Sequence, residues 1–74
     1  MSEQFIPFLK SYPYDPQNFR FIGTPIDGVQ FENDKIIFVE FKTGNSRLSK
    51  KQENVKKLLG EKKVNFEEMR MKYL

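Results

Sequence analysis

The sequence predicts a small α/β protein of the α+β kind, with a mixed sheet of about four strands, a central hairpin and one main packed helix. Two apolar stretches, residues 26–31 and 35–42, flank Asn33-Asp34, a pair typical of a two-residue hairpin loop. Residues 48–60 have helical spacing of apolar positions, a Ser-x-x-Gln capping pattern near the start and a glycine at the end. With 74 residues, the chain is long enough for one domain.

Four parts follow one another within this single domain. Residues 1–18 predict a short helix and an extended loop with two prolines, and residues 19–47 predict the core strands, starting with a short strand at 19–22. The nearly all-apolar run 36–41 predicts the central strand of the sheet. Residues 48–60 predict a basic helix that stops at Gly60, and residues 63–74 predict a final strand. The tyrosines of the loop, Tyr12 and Tyr14, are expected to pack over the sheet, although stacking on nucleic-acid bases uses the same residues.

The hairpin loop sets a register that brings two acidic residues together. If Asn33-Asp34 forms the loop, in the left-handed conformations that Asn and Asp tolerate, Asp27 falls directly opposite Glu40. Lys42 then shares the face of Glu40, and Phe41 points the other way. Like charges in directly opposed positions are destabilising. A divalent cation held between the carboxylates would remove that repulsion, and magnesium suits such a pair.

The composition excludes several kinds of chemistry and indicates a polyanionic partner. The chain has no cysteine and no histidine, so it has no disulfide, no thiolate site and no imidazole base, and any metal must bind to oxygen. Residues 42–63 carry eight basic and two acidic side chains, whereas residues 1–41 carry three basic and six acidic ones. Such a block fits either a phosphate backbone or a solvated lysine-rich helix. Because no apolar run approaches a membrane span, we expect a cytoplasmic protein without membrane contact.

The loop and helix after the hairpin offer candidate contacts to phosphate. Gly44 permits a turn and close approach of a backbone, and two lysines in the first turn of the helix oppose its macrodipole unless an external anion compensates them. Gln52 has two interpretations, a capping-box partner or a polar group that reaches the acidic pair, and spacing favours the cap. The candidate nucleic-acid contacts are Thr43, Gly44, Ser46, Arg47, Lys50, Lys51 and Lys56.

Several of these residues together form a known pattern. Pro25-x-Asp27 followed by Glu40-x-Lys42 resembles the signature of the PD-(D/E)xK nuclease superfamily, with its restriction-endonuclease-like core. The wider runs at 19–27 (FRFIGTPID) and 38–52 (FVEFKTGNSRLSKKQ) resemble small endonucleases related to archaeal Holliday-junction resolvases. The extended pattern is much more specific than Asp…Glu-x-Lys alone.

The resemblance implies a magnesium-dependent endonuclease, with Mn²⁺ able to substitute, that cuts branched or structured DNA in recombination and repair. It implies that Asp27, Glu40 and the backbone carbonyl of Phe41 bind the metal, that Lys42 activates water, and that Gln52 lies beside the site. Larger relatives carry a further glutamate on a longer first helix, for which Glu3 is the candidate here. It also implies a homodimer, in line with the small size of the chain.

Two other functions stay open from the sequence. The protein could be a nucleic-acid-binding module in which the nuclease site is vestigial. It could also be an interaction domain whose hairpin charges form surface pairs, in which case magnesium leaves its thermal stability unchanged.

Overall fold

A computed structural model of the protein describes residues 10–72. This part contains three strands and one α-helix, in the order β1 (Phe19–Phe21), β2 (Gly28–Phe31), β3 (Ile36–Val39) and α1 (Lys50–Gly60). A 3-10 helix, Pro16–Asn18, precedes β1 and is capped by the side chain of Asp15. The predicted N-terminal helix falls largely in residues 1–9, outside the described residues. Within residues 10–72, no helix has the length and apolar character needed to cross a membrane.

The three strands form one antiparallel sheet in the order β1-β2-β3. Phe31 pairs with Ile36 and Val29 with Phe38, which confirms the predicted register of the hairpin. The loop closes with the Glu32 N–H donating to the carbonyl of Lys35 at 2.9 Å. The expectation of left-handed conformations at Asn33-Asp34 is wrong. Among the described non-glycine residues only Lys62 has a positive φ, so neither Asn33 nor Asp34 is left-handed. The register of the hairpin is therefore set by the length of the loop and not by the handedness of its backbone.

The α+β class is confirmed, but the make-up of the sheet differs from the prediction. Strand β2 is the central strand, because β1 and β3 pair with its two edges. The prediction of β3 as the central strand is wrong, and Ile36 and Phe38 are 58% and 39% exposed. The final strand predicted at 63–74 is also wrong for its described part, since residues 63–72 form no strand. The described sheet is accordingly antiparallel with three strands, where a mixed sheet of about four was expected.

Helix α1 begins directly after its predicted N-cap, Ser49, and ends at Gly60, where the sequence predicted its stop. The Ser49 side chain accepts a hydrogen bond from the Gln52 N–H, and the Gln52 side chain accepts one from the Ser49 N–H, which completes the capping box. Gly60 is the last helical residue, but it is not the left-handed residue of the C-terminal cap. The left-handed residue is Lys62, with φ 60, and the Lys63 N–H donates to the carbonyl of Leu58 at 2.8 Å. This is the six-to-one hydrogen bond of a Schellman ending, formed here around a lysine.

One face of α1 lies over the sheet, in agreement with the predicted spacing. Its half-buried residues border a cleft of about 300 Å³ that Ile26 and Phe38 also border, and they are Gln52, Val55 and Leu59. Leu48, which precedes the helix, borders the same cleft. The buried hydrophobic core consists of Phe19, Ile26 and Val29, each at most 7% exposed. The core is small, so each contact in it matters for stability.

Replacing Gly28 by Ala is expected to lower the free energy of unfolding by about 1–3 kcal/mol, the usual cost of overpacking. A methyl group at Gly28 would collide with the backbone carbonyl of Arg20 and with the ring of Phe19. Gly60→Ala is the matched control, because no atom lies within 4 Å of a methyl group there. Urea denaturation followed by circular dichroism measures both variants. Equal stability of Gly28→Ala and the wild type would contradict the close approach of β1 to β2.

Candidate active site

Asp27 and Glu40 lie next to each other at the end of the hairpin, one position beyond the last pair of the ladder, Gly28–Val39. The Asp27 N–H donates to Oε1 of Glu40 at 2.9 Å, and the Phe41 N–H donates to Oδ2 of Asp27 at 2.8 Å. Each carboxylate thus binds the backbone of the opposite segment. The turn before β2 is closed by the Ile22 and Gly23 N–H groups, which both donate to the Asp27 carbonyl. Asp27 is therefore held on both its backbone and its side chain.

Glu40 is the centre of the polar contacts. Its Oε2 atom lies 3.2 Å from the Nζ atom of Lys42 and accepts a hydrogen bond from the Nε2 atom of Gln52 at 3.0 Å. The side chain of Glu40 is 14% exposed, whereas that of Lys42 is 31% exposed. The pair is therefore shielded from water on the carboxylate side and open on the lysine side. Lys42 is therefore the more accessible of the two charged groups to a molecule in solvent.

The side chain of Gln52 fulfils both of the roles considered from the sequence. Its Oε1 atom accepts the Ser49 N–H of the capping box at 2.9 Å. Its Nε2 atom donates to Glu40 and to the carbonyl of Pro25, the latter at 2.9 Å. Because an N–H of the backbone must face an acceptor, the cap forces the amide nitrogen toward the acidic pair. Helix α1 is in this way connected to both segments of the site.

Gln52→Glu is expected to lower the free energy of unfolding by about 1–3 kcal/mol in EDTA. A glutamate still accepts the Ser49 N–H, but it loses the two N–H donors and brings a negative charge against Glu40 and the carbonyl of Pro25. Thermal unfolding in EDTA is the measurement, and Ser49→Ala, which removes only the cap acceptor, is the comparison. If Gln52→Glu were as stable as the wild type, the contacts of the amide nitrogen would contribute nothing to the free energy of unfolding.

The oxygen atoms gathered at this point fit a magnesium ion. Magnesium is usually bound by one or two carboxylates, with water and phosphate oxygens completing its octahedron. Asp27 and Glu40 supply two carboxylates, and within residues 10–72 no group of three or more possible metal-binding side chains occurs. The carbonyl of Phe41 stays a predicted ligand. Glu3 lies outside the described residues, so its part in the site also stays a prediction.

The predicted phosphate contacts lie in three places, namely a groove, a cleft and an exposed turn. Lys50 and Lys51, in the first turn of α1, border a groove of about 490 Å³ together with Thr24, Pro25 and Asn54. Lys56 borders the cleft that also contains Glu40 and Gln52. The remaining candidates form the exposed turn between β3 and α1, and they are Thr43, Gly44, Ser46 and Arg47. Of these places, the cleft with Lys56 is the one that Glu40 also borders.

A buried polar group on the other face of the sheet was missed in the sequence. The Gln30 side chain is fully buried at 0% exposure. It accepts a hydrogen bond from the Tyr12 hydroxyl at 2.5 Å and donates to the Asp15 carbonyl and to Glu32. Burial, with Tyr14 and Glu32 nearby, raises the pKa of the Tyr12 hydroxyl, so that it stays protonated and able to donate. The sequence signal that could have indicated this buried contact is the presence of a glutamine in an otherwise apolar strand.

The fold and the site together define a small α+β protein with two carboxylates, a lysine and a glutamine assembled at the end of a hairpin. Over residues 1–71 the chain matches a family described as "Endonuclease related to archaeal Holliday junction resolvase". The chain belongs to this family of endonucleases, as its motifs led us to expect. No curated protein and no solved structure matches the chain.

Proposed function

We propose that the protein is a metal-dependent endonuclease of the PD-(D/E)xK type that hydrolyses phosphodiester bonds in branched or structured DNA. The observation that carries this proposal is the set of direct contacts around Glu40, which joins Asp27, Lys42 and Gln52 in one cluster. The spacing of the motif in the sequence matches this cluster, and the family description agrees with a nuclease. Such an activity belongs to DNA recombination and repair.

In this proposal Asp27, Glu40 and the carbonyl of Phe41 bind Mg²⁺, for which Mn²⁺ can substitute. When bound, the ion supplies Lewis-acid polarisation of the phosphate and makes water more acidic. The ammonium group of Lys42 orients the attacking water and stabilises the negative charge that develops on the phosphate oxygens. Gln52 holds the Glu40 carboxylate in place through its amide nitrogen. The lysines at the start of α1 and the turn at 43–47 bind the DNA backbone, a contact that reads shape and charge and not sequence.

The test uses labelled four-way junction, duplex and single-stranded DNA with the purified protein in Mg²⁺ or in EDTA. We expect cleavage of the junction in Mg²⁺, weaker or no cleavage of the other substrates, and no cleavage in EDTA. Cutting of duplex and junction at equal rates would contradict the preference for branched DNA. If no substrate is cleaved in either Mg²⁺ or Mn²⁺, the proposal that the protein is a nuclease is refuted.

A nucleic-acid-binding module with a vestigial nuclease site is the second candidate. It is favoured by the exposed basic residues of α1 and of the turn at 43–47, which can bind a phosphate backbone whether or not the acidic pair is active. Magnesium-dependent melting separates the possibilities further, because an ion that binds the folded state raises the melting temperature. A binding module with an intact ion site shows this shift without cleavage, and an interaction domain with surface charge pairs shows neither.

We also propose that the protein acts as a homodimer, which would present two sites to two strands. Exposed apolar side chains border a groove of about 700 Å³ beside β3, including Ile36 at 58% and Phe66 at 92% exposure. With three buried hydrophobic residues in the described core, the chain gains stability if a second copy covers this groove. Sedimentation tests the dimer, and a strict monomer at micromolar concentration that still cuts junctions would contradict it.

A further inference from the structure

The segment that carries Glu40 and Lys42 lies outside the hydrogen-bonded ladder of the sheet. Strand β3 ends at Val39, and the last pair of the ladder is Gly28–Val39. Beyond that point the backbone is held to β2's side of the hairpin by side-chain contacts, such as the Phe41 N–H that donates to Asp27. A backbone without ladder bonds needs other contacts to keep a fixed position.

The ring of Phe41 supplies such a contact on the face of the sheet opposite to the acidic pair. Its centroid lies 6.0 Å from that of Tyr12 and 5.8 Å from that of Phe19. Tyr12 also contacts Phe19 edge to face, with centroids 6.2 Å apart. Both contacts of Phe41 are tilted, with interplanar angles of 54° and 46°, and aromatic pairs at these distances are attractive beyond the area that they bury. Segment 40–42 is thus held by Gln52 on one face and by aromatic rings on the other.

Tyr12 itself belongs to the loop before β1, yet it is anchored in the central strand. Its hydroxyl donates to Gln30, whose side chain is fully buried in β2. The amide nitrogen of Gln30 donates to the Asp15 carbonyl of the same loop at 2.7 Å. The loop is therefore fastened to β2 at two points. The ring of Tyr12 is left in place against Phe41.

We propose that Tyr12, anchored by Gln30, is a positioning residue for the candidate metal site. It acts through Phe41, whose ring it supports and whose backbone lies between Glu40 and Lys42 and binds Asp27. The expected effect of Tyr12 on metal affinity rests on the proposed function, in which Asp27 and Glu40 bind a metal ion. Partners that orient the ligands of a metal typically change metal affinity or activity by 10–100-fold when they are removed.

The first measurement is the Mg²⁺ concentration that gives half of the maximal rise in melting temperature. Tyr12→Ala, which removes the ring, is expected to raise this concentration at least about tenfold. Tyr12→Phe keeps the ring and loses the hydroxyl, and we expect it to stay within about threefold of the wild type while melting at a lower temperature. If the Ala variant does not fold, Tyr12→Leu takes its place with the same expectation.

Val29→Ala is the control for a general loss of stability. Val29 lies in the same strand as Gln30 but points to the opposite face, and it is 7% exposed. This variant is expected to melt at a lower temperature with an unchanged Mg²⁺ requirement. An unchanged requirement in Tyr12→Ala, or an equal change in Val29→Ala, would overturn the positioning role.

A second measurement does not depend on metal binding. Hydrogen exchange of the Phe41 amide in EDTA reports whether the segment is held in place. We expect faster exchange at Phe41 in Tyr12→Ala, with unchanged exchange in the middle of α1. If the wild type shows no magnesium effect and no cleavage, the proposed function fails. This exchange measurement still tests whether Tyr12 holds the segment of Phe41 in place. Unchanged exchange at Phe41 would reject the inference.

Discussion

Glu40→Gln is expected to reduce DNA cleavage by at least about a hundredfold, the loss typical when one preorganised electrostatic group is removed from a catalytic site. The carboxylate accepts hydrogen bonds from Asp27 and Gln52 and lies 3.2 Å from the ammonium group of Lys42. A glutamine keeps the size but loses the charge. With one oxygen in place of two, its amide nitrogen must also face a donor. Both the metal-binding capacity and the geometry of the cluster are therefore lost.

Binding of junction DNA is expected to survive this change and to become slightly tighter, because the net positive charge increases by one. Single-turnover cleavage and fluorescence anisotropy, the latter in EDTA, measure the two properties separately. Glu53→Gln makes the same chemical change on an exposed part of α1 and is expected to leave cleavage unaltered while tightening binding as slightly as Glu40→Gln does. Cleavage by Glu40→Gln within tenfold of the wild type would rule out Glu40 as a metal ligand.

Lys42→Ala is expected to reduce cleavage by at least about a hundredfold without weakening the binding of magnesium. The ammonium group lies beside Oε2 of Glu40, and the Lys42 side chain is 31% exposed, so it can reach a phosphate that enters from solvent. Loss of the partly exposed ion pair costs at most about 1 kcal/mol of stability. Its removal also takes a positive charge away from the carboxylate pair, and this favours binding of a cation there.

The combination of lower cleavage and unweakened metal binding separates a catalytic lysine from a metal ligand. Cleavage at saturating Mg²⁺ and the magnesium dependence of the melting temperature are the two measurements. Lys57→Ala, on the exposed face of α1, is the control and should change cleavage at saturating DNA by less than about twofold. A Lys42→Ala protein that cuts normally once Mg²⁺ is raised would assign the residue to metal retention and not to chemistry.

Short-range features were predictable because their causes lie within a few residues. A two-residue loop between Phe31-Glu32 and Lys35-Ile36 leaves one possible pairing for the hairpin, and the observed pairs agree with it. The capping box of α1 likewise depends on residues three positions apart. The proximity of Asp27 and Glu40 followed from the same register, because each further pair along a hairpin is determined by the one before it.

Long-range features were not predictable because they depend on which surfaces meet. The apolar run at 36–41 indicated a central strand, but hydrophobicity alone does not tell which strand has neighbours on both edges. Spacing favoured the cap for Gln52 and could not show its second role, since the other partners of its side chain, Glu40 and the carbonyl of Pro25, are 12 and 27 positions away in the chain. The separation between Tyr12 and Gln30 is 18 positions.

The sequence by itself therefore determined the hairpin register, the start of α1 and the pairing of Asp27 with Glu40, because turn length, side-chain alternation and capping act locally. The tertiary structure alone decided that β2 is central, that Gln52 connects the cap to the acidic pair, and that Tyr12 supports Phe41 from the opposite face. These contacts join segments distant in the chain, and they form only when the loop, the sheet and the helix bury their surfaces against one another.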